Sequence, residues 1–192
     1  MHRDSVSRLY RTWRSGAFMS MLGITLLNEL FGEGRIDKPG AILGQLRSKV
    51  KAMLVQEGNI RDQKDGMDMA IAVIDKERRE LQFAGAYNPL YHIREKGQVT
   101  GKETGSETAL QGKDSLLFEY KGDSIYVFSD GFVDQFGGSQ RKKFKTQKFK
   151  NLLLKIHSEP MEMQKKILEE TFEKWRGNIE QIDDVCVIGV RV

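Results

Sequence analysis

Ile125-Tyr126-Val127-Phe128-Ser129-Asp130-Gly131 carries the strongest structural signal in the chain. Four of its first five residues are β-branched or aromatic and none is charged, which reads as a strand covered on both faces. The strand stops at Asp130-Gly131, where a carboxylate meets a loop and glycine lets the backbone turn. A second such device lies near the end of the sequence. There Asp183-Asp184 precedes Val185-Cys186-Val187-Ile188-Gly189-Val190-Arg191-Val192. Two buried strands, each tipped with acid, would aim Asp130 and Asp183 at one point. Carboxylate oxygens gathered in this way suit a hard divalent cation. Read by spacing alone, ordinary turn aspartates are the commoner explanation of both acids, since Asp-Gly is a common turn.

The totals set wide bounds. With 192 residues, 39% of them hydrophobic, the chain can bury a sizeable core in a single domain. Thirty-one Lys and Arg against 27 Asp and Glu leave a net charge of +4, a weak statement about partners. The single cysteine, Cys186, sits in an apolar stretch and reads as a packed thiol, outside any disulfide framework. No apolar run reaches the ~18 residues of a membrane span. Arg8, Arg11 and Arg14 ahead of an apolar segment resemble a secretory leader. No small-residue cleavage site follows, however, so the expected location is the cytoplasm.

Residues 1–15 show no period and read as an irregular tail, with one domain expected over 16–192. A helix is predicted at about 16–31, apolar on nearly every side and therefore expected to be central and covered. Gly32-Glu33-Gly34 breaks it. Pro39-Gly40 opens a second helix, about 39–56, with Ile42, Leu43, Leu46, Val50, Met53 and Leu54 on one stripe and Gly58 at its end. Met69–Asp75 and Glu80–Ala86 read as strands of an antiparallel hairpin, and Leu90–Arg94 as a third strand. Residues 98–120 are polar and read as a surface loop, with short strand pieces near Val99 and Leu116-Leu117-Phe118. Helices at about 146–157 and 160–176 follow, the second burying Ile167, Leu168, Thr171, Phe172 and Trp175. Paired helices segregated from runs of antiparallel strand define an α+β class, with layers of helix covering sheet.

Gly16-Ala17-Phe18-Met19-Ser20-Met21-Leu22-Gly23 resembles a helix start in the bacterial metal-dependent serine/threonine phosphatases of the PPM type, SpoIIE-like branch. Phe83-Ala84-Gly85-Ala86-Tyr87-Asn88-Pro89 resembles that family's hairpin, Phe128-Ser129-Asp130-Gly131 its metal-binding Asp-Gly, and Asp183-Asp184-Val185 its closing Asp-Asp or Asp-Asn. The resemblance implies an α-β-β-α sandwich with two Mn²⁺ or Mg²⁺ ions at one edge. Asp130 and Asp183 would be ligands, and Gly131 and Asp184 would support them. It also implies hydrolysis of phosphoserine or phosphothreonine in a phosphoprotein by a metal-bridging water.

One element of the family pattern is missing. Relatives carry Asp-x-Thr-Gly-His-Gly just before the Gly-Ala-Phe helix, where this chain has Arg11-Thr12-Trp13-Arg14-Ser15. The domain is therefore expected to be incomplete at its N-terminal end. Asp134, Asp184, Asp65 and Asp68 remain open as further ligands. An alternative is an inactive phosphatase-like regulatory module. Expected partners are a phosphoprotein substrate, a sensor or regulatory domain, and a second copy covering an exposed sheet, with neither nucleic acid nor membrane. His92 is expected to be a satisfied structural histidine, and His157 to sit at a helix end. His2 falls in the tail. The run from Arg141 to Lys150 reads first as a solvated helix start, and otherwise as a grip for nucleic acid, an acidic partner or a phosphopeptide.

Overall fold

The computed structural model describes residues 19–32, 38–56, 67–94, 99–102, 115–117 and 122–192. It divides into two compact units, Met1–Met67 with Leu110–Lys113, and Asp68–Ala109 with Asp114–Val192. In the first unit, helix α1 covers residues 19–32 and α2 covers Pro39–Gln56. Leu26 and Leu30 of α1 and Ile42, Leu43 and Leu46 of α2 are buried, and Lys49 Nζ bridges to Glu29 Oε1 at 2.6 Å. Contrary to expectation, α1 is not covered all round: Met21 is 71% and Ile24 61% exposed. Only the Gly23–Leu26–Leu30 stripe is buried, which is the single face that helical spacing presents to one neighbour. On α2, Met53 at the far end of the predicted stripe is also exposed. Gly58, proposed as its stop, lies outside the described residues.

The second unit holds strands β1 (Met69–Asp75), β2 (Glu80–Ala86), β3 (Leu90–Ile93), β4 (Val99–Lys102), β5 (Ser115–Leu117) and β6 (Ser124–Phe128). Short helix α3 (Gly131–Asp134), β7 (Phe136–Gly137), β8 (Lys142–Lys143), α4 (Thr146–Ile156), α5 (Met161–Arg176) and β9 (Val187–Arg191) follow. They form two larger antiparallel sheets, in the orders β1-β2-β5 and β4-β3-β6-β9, and the small β7-β8 hairpin. The class is α+β, as the sequence predicts. The β1–β2 hairpin pairs Asp75 with Glu80 across the 76–79 turn, and the pieces foreseen near Val99 and Leu116 are true strands.

β6 shows why the central run carries no charge. Its side chains alternate between two cores. Ile125 packs with Leu81, Phe83 and Leu90, joining the two sheets. Tyr126 and Phe128 turn the other way into the helix layer with Tyr91, Phe132, Phe149, Leu153 and Phe172. Phe149 lies with its ring centroid 4.7 Å from both Phe128 and Phe132, and Phe132 lies 5.1 Å from Phe172. Each such ring contributes about 2–3 kcal/mol by leaving water and each tilted pair about 0.5–1.5 kcal/mol more.

Buried polar groups tie the helix layer to the strands. Tyr126 donates its hydroxyl to Gln164 Oε1 at 2.6 Å, and Gln164 Nε2 donates to the carbonyls of His157 and Glu159. Arg191 on β9 donates to the same two carbonyls, so the α4–α5 connection is held from both strands. His157 closes α4, its Nδ1 2.6 Å from the Leu154 carbonyl.

β9 departs from expectation. It pairs only with β6 among the described residues, and Ile188 is 58% exposed, so it is an edge strand rather than a buried one. Apolar composition records the capacity to pack, not the presence of a neighbour. Cys186, read as a packed thiol, is exposed for the same reason. The Arg141–Lys150 run, read as a solvated helix start, opens α4 only from Thr146; its first half belongs to the β7–β8 hairpin, where Gly138 at φ 68° lets the chain fold back on itself.

His92 is the structural histidine predicted for it. Its Nε2 lies 2.8 Å from Asp123 Oδ2, and both side chains are buried. Removing one member of a buried pair leaves a charge with no partner, at a cost of about 3–5 kcal/mol. His92→Leu is expected to lose about that much stability in urea denaturation, and His92→Leu/Asp123→Leu to recover most of it. A double variant no better than the single one would show that the pair is not the relevant interaction.

Candidate metal centre

The β6–β9 pairing aligns Phe128 with Val187 and then continues beyond both strands. Ser129 N–H donates to the Cys186 carbonyl at 3.0 Å. Its Oγ donates to the Asp184 carbonyl at 2.8 Å and accepts from the Cys186 amide at 2.9 Å. One hydroxyl thus satisfies two backbone groups where the ladder gives out. Asp130 leaves β6 at this point, and the Asp183-Asp184 segment enters β9 from the same end.

Gly131 makes the approach possible. A Cβ built there would lie 2.3 Å from the Asp184 carbonyl oxygen, so no larger residue fits without moving backbone. Asp183 Oδ1 accepts the Asp184 amide at 2.8 Å, which fixes one carboxylate oxygen. Gln181 Nε2 holds the Asp183 carbonyl at 2.8 Å. Asp184 supports the junction through its backbone, and its side chain is exposed.

Gln135 was not singled out by the sequence. It is fully buried just after α3, and its Nε2 donates to the carbonyls of Phe136 and Glu180 at 3.1 and 3.0 Å. The Ile182 amide approaches its Oε1 at 3.4 Å. A side chain five positions after Asp130 therefore clamps the loop that delivers Asp183. Its partners at Glu180 and Ile182 are backbone groups 45 and 47 positions away, and no local pattern encodes them.

A third carboxylate lies within electrostatic reach of Asp130 and Asp183. Asp68, immediately before β1, is exposed, yet its carboxyl is pushed above the usual range of about 3.8. Partial loss of water is the first cause, and the negative charges of Asp130 and Asp183 add to it. The field of the two predicted acids thus converges on Asp68, which the sequence left open. Asp134 instead pairs with Lys143 at 2.7 Å, and Asp65 lies outside the described residues.

Among the described residues no group of three or more His, Cys, Asp or Glu side chains is placed to hold a metal ion together. The donor set nevertheless fits a hard divalent cation. Mg²⁺ and its like keep several waters and bind through one or two carboxylates plus substrate oxygens. The negative field of Asp130 and Asp183 felt at Asp68 is what such an ion would offset. The described residues include no helix long and apolar enough to cross a membrane.

Comparison with known proteins agrees with this architecture. The structure superposes on the SiaA-PP2C domain of Pseudomonas aeruginosa with a TM-score of 0.78 and 27% identity, covering 93% of this chain and 69% of that one. The phosphatase domain of the cell fate determinant SpoIIE from Bacillus subtilis shares the fold at 18% identity. There the TM-score is 0.52, over 88% of this chain and 72% of that one. A Mn-presoaked form of that domain gives a TM-score of 0.53 at 18% identity, over 88% and 73% of the two chains. The fold is that of the PP2C (PPM-type) phosphatase domains. The sequence model of the family described as Stage II sporulation protein E (SpoIIE) matches residues 14–192, and the chain belongs to that family. No curated protein matches it.

The raised pKa of Asp68 has a definite sign. Its ionised form is disfavoured in the folded state, so the cost is full above the folded pKa and gone below the unfolded value near 3.8. With EDTA present, Asp68→Asn is expected to stabilise the protein at pH 7 by less than about 1 kcal/mol, the scale of solvent-screened charges. The advantage should vanish below about pH 4. Urea midpoints at both pH values test this, and a less stable variant at pH 7 contradicts it.

Proposed function

We propose that this chain is a metal-dependent phosphoprotein phosphatase module, acting on phosphoserine or phosphothreonine in bacterial signalling. Its membership of the SpoIIE family supports the reaction class. The observation that carries the reading is the junction at the end of the β6–β9 pair, where the Ser129 bridges and the Gly131 approach bring the Asp130 and Asp183-Asp184 segments together. Asp130 and Asp183 would hold the cations, with Asp68 completing the negative field. Bound there, Mn²⁺ or Mg²⁺ supplies a water of lowered pKa and neutralises charge on the phosphoryl group being transferred.

The chain's own residues prepare that site. The Ser129 bridges fix the spacing of the two acid-bearing segments, Gly131 admits the Asp184 carbonyl, and Gln135 holds the incoming loop. Cys186 lies beside the junction, but a metal-activated water needs no protein nucleophile, and the buried His92 is engaged with Asp123.

The test is hydrolysis of p-nitrophenyl phosphate at millimolar Mn²⁺. Metal-dependent turnover is expected, with Asp130→Ala reducing it at least about a hundredfold, as loss of a cation's charge stabilisation implies. A well-folded sample that shows no Mn²⁺-dependent hydrolysis contradicts the proposal.

A further inference from the structure

The part of the basic run that precedes α4 is neither a helix start nor a loose loop. Phe136-Gly137-Gly138-Ser139-Gln140-Arg141-Lys142-Lys143-Phe144-Lys145 folds into the β7–β8 hairpin, pairing Phe136 with Lys143 and Gly137 with Lys142. Its base is clamped on every side. A Cβ on Gly137 would lie 2.0 Å from the Trp175 carbonyl oxygen, and Gly138 N–H donates to that oxygen at 2.9 Å. Phe144 is buried edge-on against Trp175, with its amide bonded to the Gln135 carbonyl at 3.0 Å. Lys145 N–H donates to the Val133 carbonyl at 2.8 Å.

Two side chains here adopt a backbone that L residues rarely take, Arg141 at φ 48° and Lys145 at φ 75°. Such positions persist only where the surroundings enforce them, and they concentrate at functional sites. The enforced turn presents Arg141, Lys142 and Lys145 to solvent, and these three form no ion pair among the described residues. Lys143 reaches back to Asp134, whose amide bonds the Asp130 carbonyl at 2.9 Å. The cationic arm is therefore rooted one helical turn from the candidate centre. Two acids near its root are engaged, Asp134 with Lys143 and Glu173 with Arg176. A groove of about 620 Å³ opens between α5 and β9. Its charged lining is Glu162, Glu169, Glu173 and Lys165, with Lys165 4.0 Å from Glu169 and Glu173 paired with Arg176, so it offers no free cationic cluster to an anion.

We infer that the β7–β8 hairpin is a docking arm for acidic sequence flanking the phosphorylated residue, with Arg141, Lys142 and Lys145 reading carboxylates beside the phosphate. The inference rests on the phosphatase reading, and it narrows the substrate class to phosphopeptides with Asp or Glu near the phosphoserine or phosphothreonine. A rigid cationic arm raises the local concentration of such a segment and orients it toward the acid-lined centre.

The experiment is fluorescence anisotropy on the full chain with Mn²⁺. The probes are phosphoserine peptides differing only in their flanks (acidic, neutral or basic), with duplex DNA as a further probe. The acidic-flanked peptide is expected to bind about tenfold tighter than the neutral one, the sum of a few solvent-screened charge pairs. That preference should shrink at high salt and disappear in Arg141→Gln/Lys142→Gln, and reverse toward basic flanks in Arg141→Glu/Lys142→Glu. Equal affinity for acidic and neutral flanks would overturn the proposal, as would a preference retained in the charge-reversed variant. Duplex DNA bound more tightly than any peptide would overturn it in favour of nucleic-acid binding. Wild-type hydrolysis of p-nitrophenyl phosphate separates the two readings. Turnover without flank preference sinks the docking arm alone, and flank preference without turnover sinks the phosphatase reading alone.

Discussion

Antiparallel pairing between β6 and β9 is the constraint on which the candidate centre depends. It takes two segments more than fifty positions apart and places their acid-bearing ends side by side, because partners in an antiparallel ladder share one end of the sheet. The ladder alone stops at Phe128 and Val187, before the acids are reached. Ser129 carries the register onward with a hydroxyl that donates to one backbone group and accepts from another. Gly131 then lets the two chains come closer than any side chain would allow. Two cores hold β6 rigid beneath this junction, so the geometry at its tip is set by packing well away from it.

The same arrangement works against folding. Partial loss of water and the charges of Asp130 and Asp183 oppose the ionisation of Asp68, and its raised pKa is the sign of that cost. A divalent cation reverses the sign of the local field, turning mutual repulsion into shared attraction. Stability given up at a site and recovered on binding is a common pattern in catalytic centres. Here the acids are exposed, so the cost is small, and the aromatic and polar ties of the helix layer readily outweigh it.

Much of this was legible from residue order. Period-two runs gave β1, β2 and β3 nearly to the residue, and the 3.6-residue stripes gave α4 and α5. The Asp130 and Asp183-Asp184 motifs stood out against apolar strands. The misses share a physical cause: they concern relations between distant segments. Apolar residues in β9 and α1 do not reveal whether a neighbour exists to cover them, and Ile188, Met21 and Ile24 are exposed. Gln135 and Gln164 look like surface residues in any local window, yet both are buried because backbone carbonyls far along the chain need donors. Asp68 precedes a strand with no motif around it, so only the assembled sheet brings it near the other two acids. The β7–β8 hairpin was hidden by lysines that favour a helical reading equally well.

Everything functional here turns on whether the acids at the end of β6 and β9 jointly attract a cation. Paramagnetic broadening by substoichiometric Mn²⁺ in an isotope-labelled sample tests this most directly, because the ion erases nearby amide signals whether or not the chain is active. The account predicts that signals around residues 68, 129–132 and 183–186 vanish first, and that Asp130→Asn abolishes the selectivity. Broadening that begins instead along the acidic face of α5, at Glu162, Glu169 and Glu173, would contradict it.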